Sequence, residues 1–275
     1  MSSLAPLLTR AQSARIRELL REKRARNAEG AFIIEGAKPV HDVLVHHPSH
    51  VQSLVLDTDY ECRESPEDRR LRESLNISSF RCSPRTFSAL SNLNNAPGIL
   101  AVVRQARWDE DILLRQRSLF GLYGEHLQDP ANVGSIIRTA AALNIEALWL
   151  TRESADIYHP KVVRASAGAV LSLPIFISQD VATWIRKGIA LFAAEAGGGQ
   201  AVNMETIRAI PNRLIVAVGN ESRGLSDRTL KHAACRFTIP LSRQIESLNV
   251  AATAAIAVHY FRQLDENIVA GSEGG

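Results

Sequence analysis

The sequence has few of the residues that mark several common classes of protein. It has three cysteines among 275 residues, with no Cys-x-x-Cys pair and no His/Cys cluster, so it indicates neither a disulfide scaffold nor a zinc site. The longest apolar run, 250–258, is too short to span a bilayer, and the apolar stretch at 4–8 lacks the preceding basic region of a signal peptide. We therefore expect a cytoplasmic protein with no membrane partner and no metal.

The common nucleotide and hydrolase motifs are missing as well. The chain has no Walker loop, no Gly-x-Gly-x-x-Gly after a predicted strand, and no Ser, His and Asp arranged around a nucleophile elbow. A nucleotide-dependent Rossmann enzyme is disfavoured because its glycine motif and its acidic ribose partner are both absent. The glycines at 197–199 are more typical of a flexible loop than of a phosphate cradle.

Positive charge is present in modest excess and is concentrated near the N-terminus. The formal net charge is +3, and 27 of the 32 basic residues are arginine, which suits phosphate contacts but is explained equally well by genomic base composition. Residues 10–26 hold seven basic and two acidic residues around apolar positions at helical spacing. We predict an amphipathic helix whose outer face contacts phosphate, in preference to a merely solvated face. The candidates for this contact are Arg15, Arg17, Arg21, Lys23 and Arg24.

Strand and helix patterns divide the chain into two predicted α/β domains, 1–105 and 118–275, joined by a charged linker at 106–117. In the first domain, strands are predicted at 31–34, 51–56, 77–80 and 99–103, and helices at 38–46, 61–73 and 84–90. In the second, strands are predicted at 119–123, 147–150, 175–177, 189–193, 214–218 and 235–239, and helices at 132–144, 160–171, 180–187, 203–209, 226–232 and 246–263. The alternation predicts a parallel sheet covered on both faces.

Three segments of the second domain supply small or polar residues after apolar, strand-like runs. They are Asn-Val-Gly-Ser-Ile-Ile-Arg at 132–138, Gly-Asn-Glu-Ser-Arg-Gly-Leu-Ser at 219–226, and Ile-Pro-Leu-Ser-Arg-Gln-Ile-Glu-Ser-Leu-Asn-Val at 239–250. Open α/β folds bind their ligands at the carboxyl ends of parallel strands. Together the segments therefore predict one ligand site at that edge.

The first segment combines a helix start with an arginine. Asn132 is a good N-cap for the predicted helix 132–144, and the free N–H groups of a helix start attract anions. Arg138 shares a face with Gly134 and can fold back over the helix start, because helical side chains tilt toward the N-terminus. The alternative is a plain surface arginine on a well-capped helix.

The other two segments also have functional and structural interpretations. Gly219 permits a tight turn or close approach of a ligand, and Glu221 either stabilises a nearby cation or only organises its loop. Ser247 and Asn249 place hydrogen-bonding groups near the start of an Ala-rich helix, where N-capping alone needs one of them.

Taken together, the segments resemble the three motifs of the SPOUT superfamily, specifically the SpoU/TrmH family of RNA ribose 2′-O-methyltransferases. The matching positions are Asn132, Gly134 and Arg138, then 219–226, then 239–240 with 246–251. In this order and spacing the combination is highly specific, and it covers 118–265. Residues 10–103, with Phe-Ile-Ile-Glu-Gly at 32–36, resemble more loosely the small substrate-binding domain of many members.

The resemblance implies a deep trefoil knot, S-adenosyl-L-methionine bound in the knotted loops, and a homodimer in which each site is completed by the partner chain. The pattern alone would have indicated an unknotted, Rossmann-like fold. The implied catalytic residues are Asn132, Arg138, Glu221, Ser247 and Asn249. The implied cofactor-binding residues are Gly219, Asn220, Ile239, Leu241, Ser247, Leu248 and Asn249. No metal is implied.

The implied reaction is attack of a ribose 2′-hydroxyl on the methyl group of S-adenosyl-L-methionine. Family proposals make Arg138 the base; because a guanidinium is a poor base, we favour a clamp on RNA phosphate that stabilises the developing alkoxide. The N-terminal domain favours ribosomal RNA over tRNA, since members acting on tRNA typically carry short helical extensions. Ser222 and Arg243 stand where glycine is common, which leaves a methylation-silent RNA-binding or ribosome-assembly factor as the alternative.

Overall fold

The computed structural model describes residues 5–177, 181–197, 200–220, 222–242 and 247–272. The chain divides into two compact units, one of residues 1–106 with 156–171 and the other of residues 107–155 with 172–275. Segment 156–171, from the predicted second domain, thus belongs to the N-terminal unit. None of the described helices is long and apolar enough to cross a membrane.

The elements are named here in chain order. The helices are α1 (Arg10–Arg21), α2 (Lys23–Glu29), α3 (Ala37–His46), α4 (Thr58–Arg63), α5 (Pro66–Ser74), α6 (Pro84–Leu90), α7 (Glu110–Leu113), α8 (Pro130–Ala142), α9 (Pro160–Ala165), α10 (Val181–Arg186), α11 (Asp227–His232) and α12 (Val250–Ser272). The strands are β1 (Ala31–Glu35), β2 (Val51–Asp57), β3 (Ser78–Cys82), β4 (Ile99–Arg104), β5 (Leu119–Gly124), β6 (Ala147–Leu150), β7 (Ile175–Ile177), β8 (Ala190–Ala194), β9 (Val202–Asn203), β10 (Arg213–Val218) and β11 (Cys235–Thr238).

The basic N-terminal run forms two helices, so the prediction of one helix over 10–26 was wrong. α1 begins after Thr9, whose side chain and that of Gln12 form a capping box. Glu22 ends α1 in an extended conformation, with φ −113° and ψ 119°, and α2 follows at once. The sequence gives no warning of this break because neither glycine nor proline stands there.

The N-terminal unit contains a four-stranded sheet in the order β1, β4, β2, β3. β2 and β3 pair in parallel, whereas β4 runs antiparallel to both of its neighbours. Ile16, Leu19 and Leu20 of α1 are buried against this sheet. The predicted helix 61–73 is two helices, α4 and α5, because Ser65 caps a second helix that starts at a proline.

Arg26 belongs to the basic run, but it is buried rather than on the outer face. Its Nε and Nη2 donate to Oδ2 of Asp156 at 2.9 and 2.6 Å, and its Nη1 donates to the Leu19 carbonyl at 2.8 Å. Nearby, the rings of Phe32 and Tyr158 lie with centroids 4.7 Å apart. These contacts hold segment 156–171 in the N-terminal unit.

The second unit contains the predicted parallel sheet, with strands in the order β7, β6, β5, β10, β8, β11, β9. Each described pairing in it is parallel. The rings of Tyr123 and Trp149 both lie against Trp184, with centroids 5.2 and 5.3 Å away, in the buried core. The two-residue strand β9 was not predicted, because two residues carry no readable periodicity.

Three helices of the second half differ from their predicted bounds. The helix predicted at 160–171 ends at Ala165, since Ala167 and Gly168 have φ of 49° and 85°, which a right-handed helix cannot accommodate. The region predicted as a helix at 203–209 holds one 3₁₀ turn, Met204–Thr206. α12 begins at Val250 rather than at 246.

The strand order explains where a ligand site can form. β10 lies between β5 and β8, and β11 lies on the far side of β8. Because parallel strands end at the same edge, the loops that follow these four strands open side by side. Two of the three segments singled out in the sequence, 219–226 and 239–250, begin in these loops.

Candidate functional site

A cavity of about 720 Å³ opens at the carboxyl ends of β8, β10 and β11. This volume is typical of pockets for small-molecule ligands and cofactors. Six of the seven predicted cofactor-binding residues line it: Gly219, Asn220, Ile239, Leu241, Ser247 and Leu248. The seventh, Asn249, is not among the lining residues, and the functional assignments remain predictions.

The loop after β10 folds tightly back on itself at one wall of the cavity. The amides of Asn220 and Gly224 each donate to the other's carbonyl, at 3.1 and 2.9 Å. A Cβ on Gly219 would lie 2.2 Å from the carbonyl carbon of Gly224, so any side chain at Gly219 would push the loop apart. Gly219 therefore permits a close approach within the loop itself.

Asn220 organises the same loop through its side chain. Its Oδ1 accepts from the amides of Ser222 and Arg223 at 2.9 and 3.2 Å, and its Nδ2 donates to the His126 carbonyl at 2.9 Å. Ser222, where glycine is common in the family motif, is exposed. Glu221 lies outside the described residues.

Glu125 supports this loop from below, and the sequence analysis did not identify it. The buried carboxylate accepts from the Ser226 amide at 2.9 Å, the Ser226 hydroxyl at 2.8 Å and the Thr229 hydroxyl at 3.0 Å. Burial, together with the Glu125 charge, raises the pKa of Tyr123. An acidic residue two positions after the predicted apolar strand at 119–123 was the available signal.

The first and third segments meet through two asparagines. Nδ2 of Asn249 donates to Oδ1 of Asn132 at 2.9 Å, across 117 positions of sequence. Oδ1 of Asn249 accepts from the Ala251 amide at 2.9 Å, so Asn249 also caps α12. The predicted capping role of Asn132 was wrong: α8 begins at Pro130 with Asp129 as its N-cap. Asn132 lies in the first turn instead, where its side chain is available to Asn249.

Arg138 lies on the exposed side of α8. No hydrogen bond or ion pair joins it to the residues that the structure describes. Ser247 is exposed at the cavity, whereas Arg243 lies outside the described residues. The guanidinium of Arg138 is thus available for an external anion.

The predicted RNA-binding residues of the N-terminal unit differ in how free they are. Arg17, Arg21, Lys23 and Arg24 are exposed. Arg15 is engaged: its Nε lies 2.5 Å from Oε2 of Glu29, and its Nη2 donates to Gln52 at 3.1 Å. Among the described residues there is no group of three or more His, Cys, Asp and Glu side chains suited to a metal ion.

Comparison with known families identifies both units. Residues 120–259 match the model of the SpoU rRNA Methylase family. Residues 14–101 match the model of the MRM3-like substrate binding domain. The first match covers most of the cavity-bearing unit together with segment 156–171, and the second covers most of the remaining N-terminal unit.

Several relatives span nearly the whole chain. A 23S rRNA (uridine(2479)-2′-O)-methyltransferase of Streptomyces viridochromogenes is 30% identical over 259 residues, covering 88% of this chain and 85% of the relative. A 23S rRNA (guanosine(2553)-2′-O)-methyltransferase of Bacillus subtilis is 27% identical, covering 88% and 93%. The crystal structure of the SpoU methyltransferase AviRb of Streptomyces viridochromogenes with the cofactor AdoMet aligns with a TM-score of 0.81 and 27% identity, covering 93% of this chain and 98% of that chain.

Proposed function

This chain belongs to the SpoU rRNA methylase family, and on that premise we propose that it transfers a methyl group from S-adenosyl-L-methionine to a ribose 2′-hydroxyl of ribosomal RNA. The observation that carries the proposal is the convergence of the motifs. The motifs at 219–226 and 239–250 both line one cavity. The motif at 132–138 contacts the last of these through the hydrogen bond between Asn132 and Asn249.

The residues of the cavity fit S-adenosyl-L-methionine. Ile239, Leu241 and Leu248 offer apolar surface for an adenine ring. Because Gly219 has no side chain, its backbone lines the cavity wall directly. Gly219, Asn220, Ser247 and Leu248 would hold the cofactor together with Ile239 and Leu241. The cofactor, when bound, supplies an electrophilic methyl group.

The protein's own part of the reaction is mainly positioning. Arg138 would clamp an RNA phosphate beside the reacting ribose and stabilise the 2′-oxygen while the hydroxyl proton passes to solvent water. Asn132 and Asn249 fix the start of α8 against that of α12. Ser247 would orient the ribose, and Glu221, which lies outside the described residues, keeps the catalytic role that the family resemblance implies. No step requires a metal.

Ribosomal RNA is the substrate class that we favour. The N-terminal unit matches a substrate-binding domain, and the named relatives act on 23S rRNA. We further propose a cytoplasmic homodimer with a trefoil-knotted second unit, in which the partner chain completes each site; an exposed apolar side chain on α12, Ile256, suits such an interface. Sedimentation of the full chain tests the dimer.

Two measurements test the activity. Calorimetry should show saturable binding of S-adenosyl-L-methionine, and 2′-O-methyl mapping of RNA from wild-type and deletion cells should show one or more rRNA positions that lose their methyl group. A lost position in tRNA would change the substrate class. A protein that binds RNA but neither binds the cofactor nor changes the map would be the methylation-silent assembly factor instead.

A further inference from the structure

Glu195 is an acidic residue of the cavity that lies outside all three motifs. It directly follows β8 and lines the cavity. β8 is the strand between β10 and β11, so Glu195 stands between the loop that starts at Gly219 and the segment that starts at Ile239. Glu195 therefore lies beside whatever both loops hold.

The backbone and surroundings of Glu195 fix its position without using its acceptor capacity. The Glu195 amide donates to the Phe237 carbonyl at 2.9 Å. Nη1 of Arg236 lies 4.0 Å from Oε2 of Glu195, too far for a hydrogen bond, while Nε and Nη2 of Arg236 donate to the Leu230 carbonyl at 3.3 and 3.1 Å. Arg236 thus faces the carboxylate with charge but supplies it with no hydrogen bond.

Neither carboxylate oxygen of Glu195 accepts a hydrogen bond from the part of the chain that the structure describes, and Oε2 is buried. A ligand that fills the cavity contacts only atoms that are accessible when the cavity is empty, so it does not reach Oε2. Oε1 also lacks a donor among the described residues but is not buried, and the side chain is 24% exposed, so a bound ligand can donate to Oε1.

The chemistry of this carboxylate selects one part of the cofactor. A carboxylate oxygen has two lone pairs, so Oε1 can accept from two neighbouring hydroxyls, and acidic residues at strand ends bind ribose hydroxyls in dinucleotide folds. Arg236 already offsets part of the negative charge, which makes the site less suited to a cation than to a neutral pair of donors. We propose that Glu195 binds the 2′- and 3′-hydroxyls of the cofactor's own ribose; this rests on the proposed function.

The test compares ligands that differ in ribose or in charge. Calorimetry and competition would use wild-type protein, Glu195→Ala, Glu195→Gln and the control Glu205→Ala, an exposed carboxylate outside the cavity. The ligands are S-adenosyl-L-methionine, S-adenosylhomocysteine, adenosine and 2′,3′-dideoxyadenosine. Losing hydrogen bonds to a charged acceptor should weaken binding about 10-fold or more.

We expect Glu195→Ala to weaken S-adenosyl-L-methionine and S-adenosylhomocysteine equally. Wild-type protein and Glu205→Ala should prefer adenosine to the dideoxy compound about 10-fold, and Glu195→Ala should lose that preference. Glu195→Gln, which keeps the size and one acceptor oxygen, should retain part of it. This variant carries the test if Glu195→Ala does not fold.

Two outcomes would overturn the inference while leaving the function intact. One is a hydroxyl preference that survives in both Glu195 variants. The other is weaker binding of S-adenosyl-L-methionine alone, which would show that the carboxylate recognises the sulfonium charge. If the wild-type protein bound none of the four ligands, the proposed function itself would fail.

Discussion

The two units use their conspicuous residues in different ways. In the N-terminal unit, the basic run is continuous in sequence but divided in space: Arg26 is buried in an ion pair, Arg15 is engaged by Glu29, and residues such as Arg17 stay exposed. In the second unit, Asn132 and Asn249 are far apart in sequence but joined by a hydrogen bond. A charge run therefore overstates the exposed basic surface, whereas short motifs that are far apart in sequence come together in space.

The largest expected effect concerns Arg26, whose buried ion pair with Asp156 gives it a structural role. Arg26→Ala leaves the nearly buried Asp156 carboxylate without its partner, and removing one member of a buried pair costs about 3–5 kcal/mol. Urea unfolding should show a loss of this size. Arg17→Ala, on the exposed face, should change the free energy of unfolding by less than about 0.5 kcal/mol. Equal effects in the two variants would remove the distinction.

Strongly patterned parts of the fold could be predicted from the sequence. The predictions at 84–90, 147–150 and 175–177 coincide with α6, β6 and β7, because apolar content and turn residues mark both ends. The parallel sheet followed from the alternation of strands and helices. The break at Glu22 was missed because the change of direction comes from packing, with no glycine or proline to announce it.

The motif residues of the candidate site were named from the sequence, but the acidic residues outside the motifs were not. Gly219 and Leu248 were named from local pattern and a family resemblance, and both line the cavity. Glu125 and Glu195 were missed, because their partners come from other elements of the fold: Glu125 accepts from Ser226, the N-cap of α11, and Glu195 lies near Arg236 of β11. Such roles depend on strand order, which a single sequence does not specify. The acidic ribose partner judged missing from the sequence is the role we now propose for Glu195.

The second prediction asks whether Arg138 acts on the reaction rather than on the cofactor. Arg138→Ala should cut methyl transfer by at least about 100-fold, the scale of one lost transition-state contact, with nearly unchanged affinity for S-adenosyl-L-methionine. Calorimetry and transfer of a tritiated methyl group measure the two quantities. The control is Arg208→Ala, an exposed arginine of the same unit. Near-normal transfer by Arg138→Ala would exclude it from the mechanism.

The exposed residues of the basic run at 10–26 are expected to supply RNA affinity. Changing Arg17, Arg21, Lys23 and Arg24 to Glu should weaken RNA binding about tenfold or more and flatten its salt dependence, because fewer counterions are released. Cofactor affinity should stay the same. A matched set of charge reversals at Lys38, Arg63, Arg70 and Arg85, exposed elsewhere in the same unit, serves as control. If both sets lowered the salt slope alike, overall charge and not this face would determine RNA affinity.

The smallest expected effect is the difference between Arg15 and Arg17, which lie near each other on α1. Arg15 lies 2.5 Å from Glu29, with its side chain 41% exposed, so solvent screens the pair and Arg15→Ala should cost no more than about 1 kcal/mol in unfolding experiments. Its guanidinium is already engaged by Glu29 and Gln52, so the variant should lower the RNA salt slope less than Arg17→Ala does. Titrations of one RNA at several salt concentrations measure both slopes. A larger drop for Arg15→Ala would mean that Arg15 exchanges Glu29 for phosphate when RNA binds, and the exposed ion pair would then be part of the binding surface.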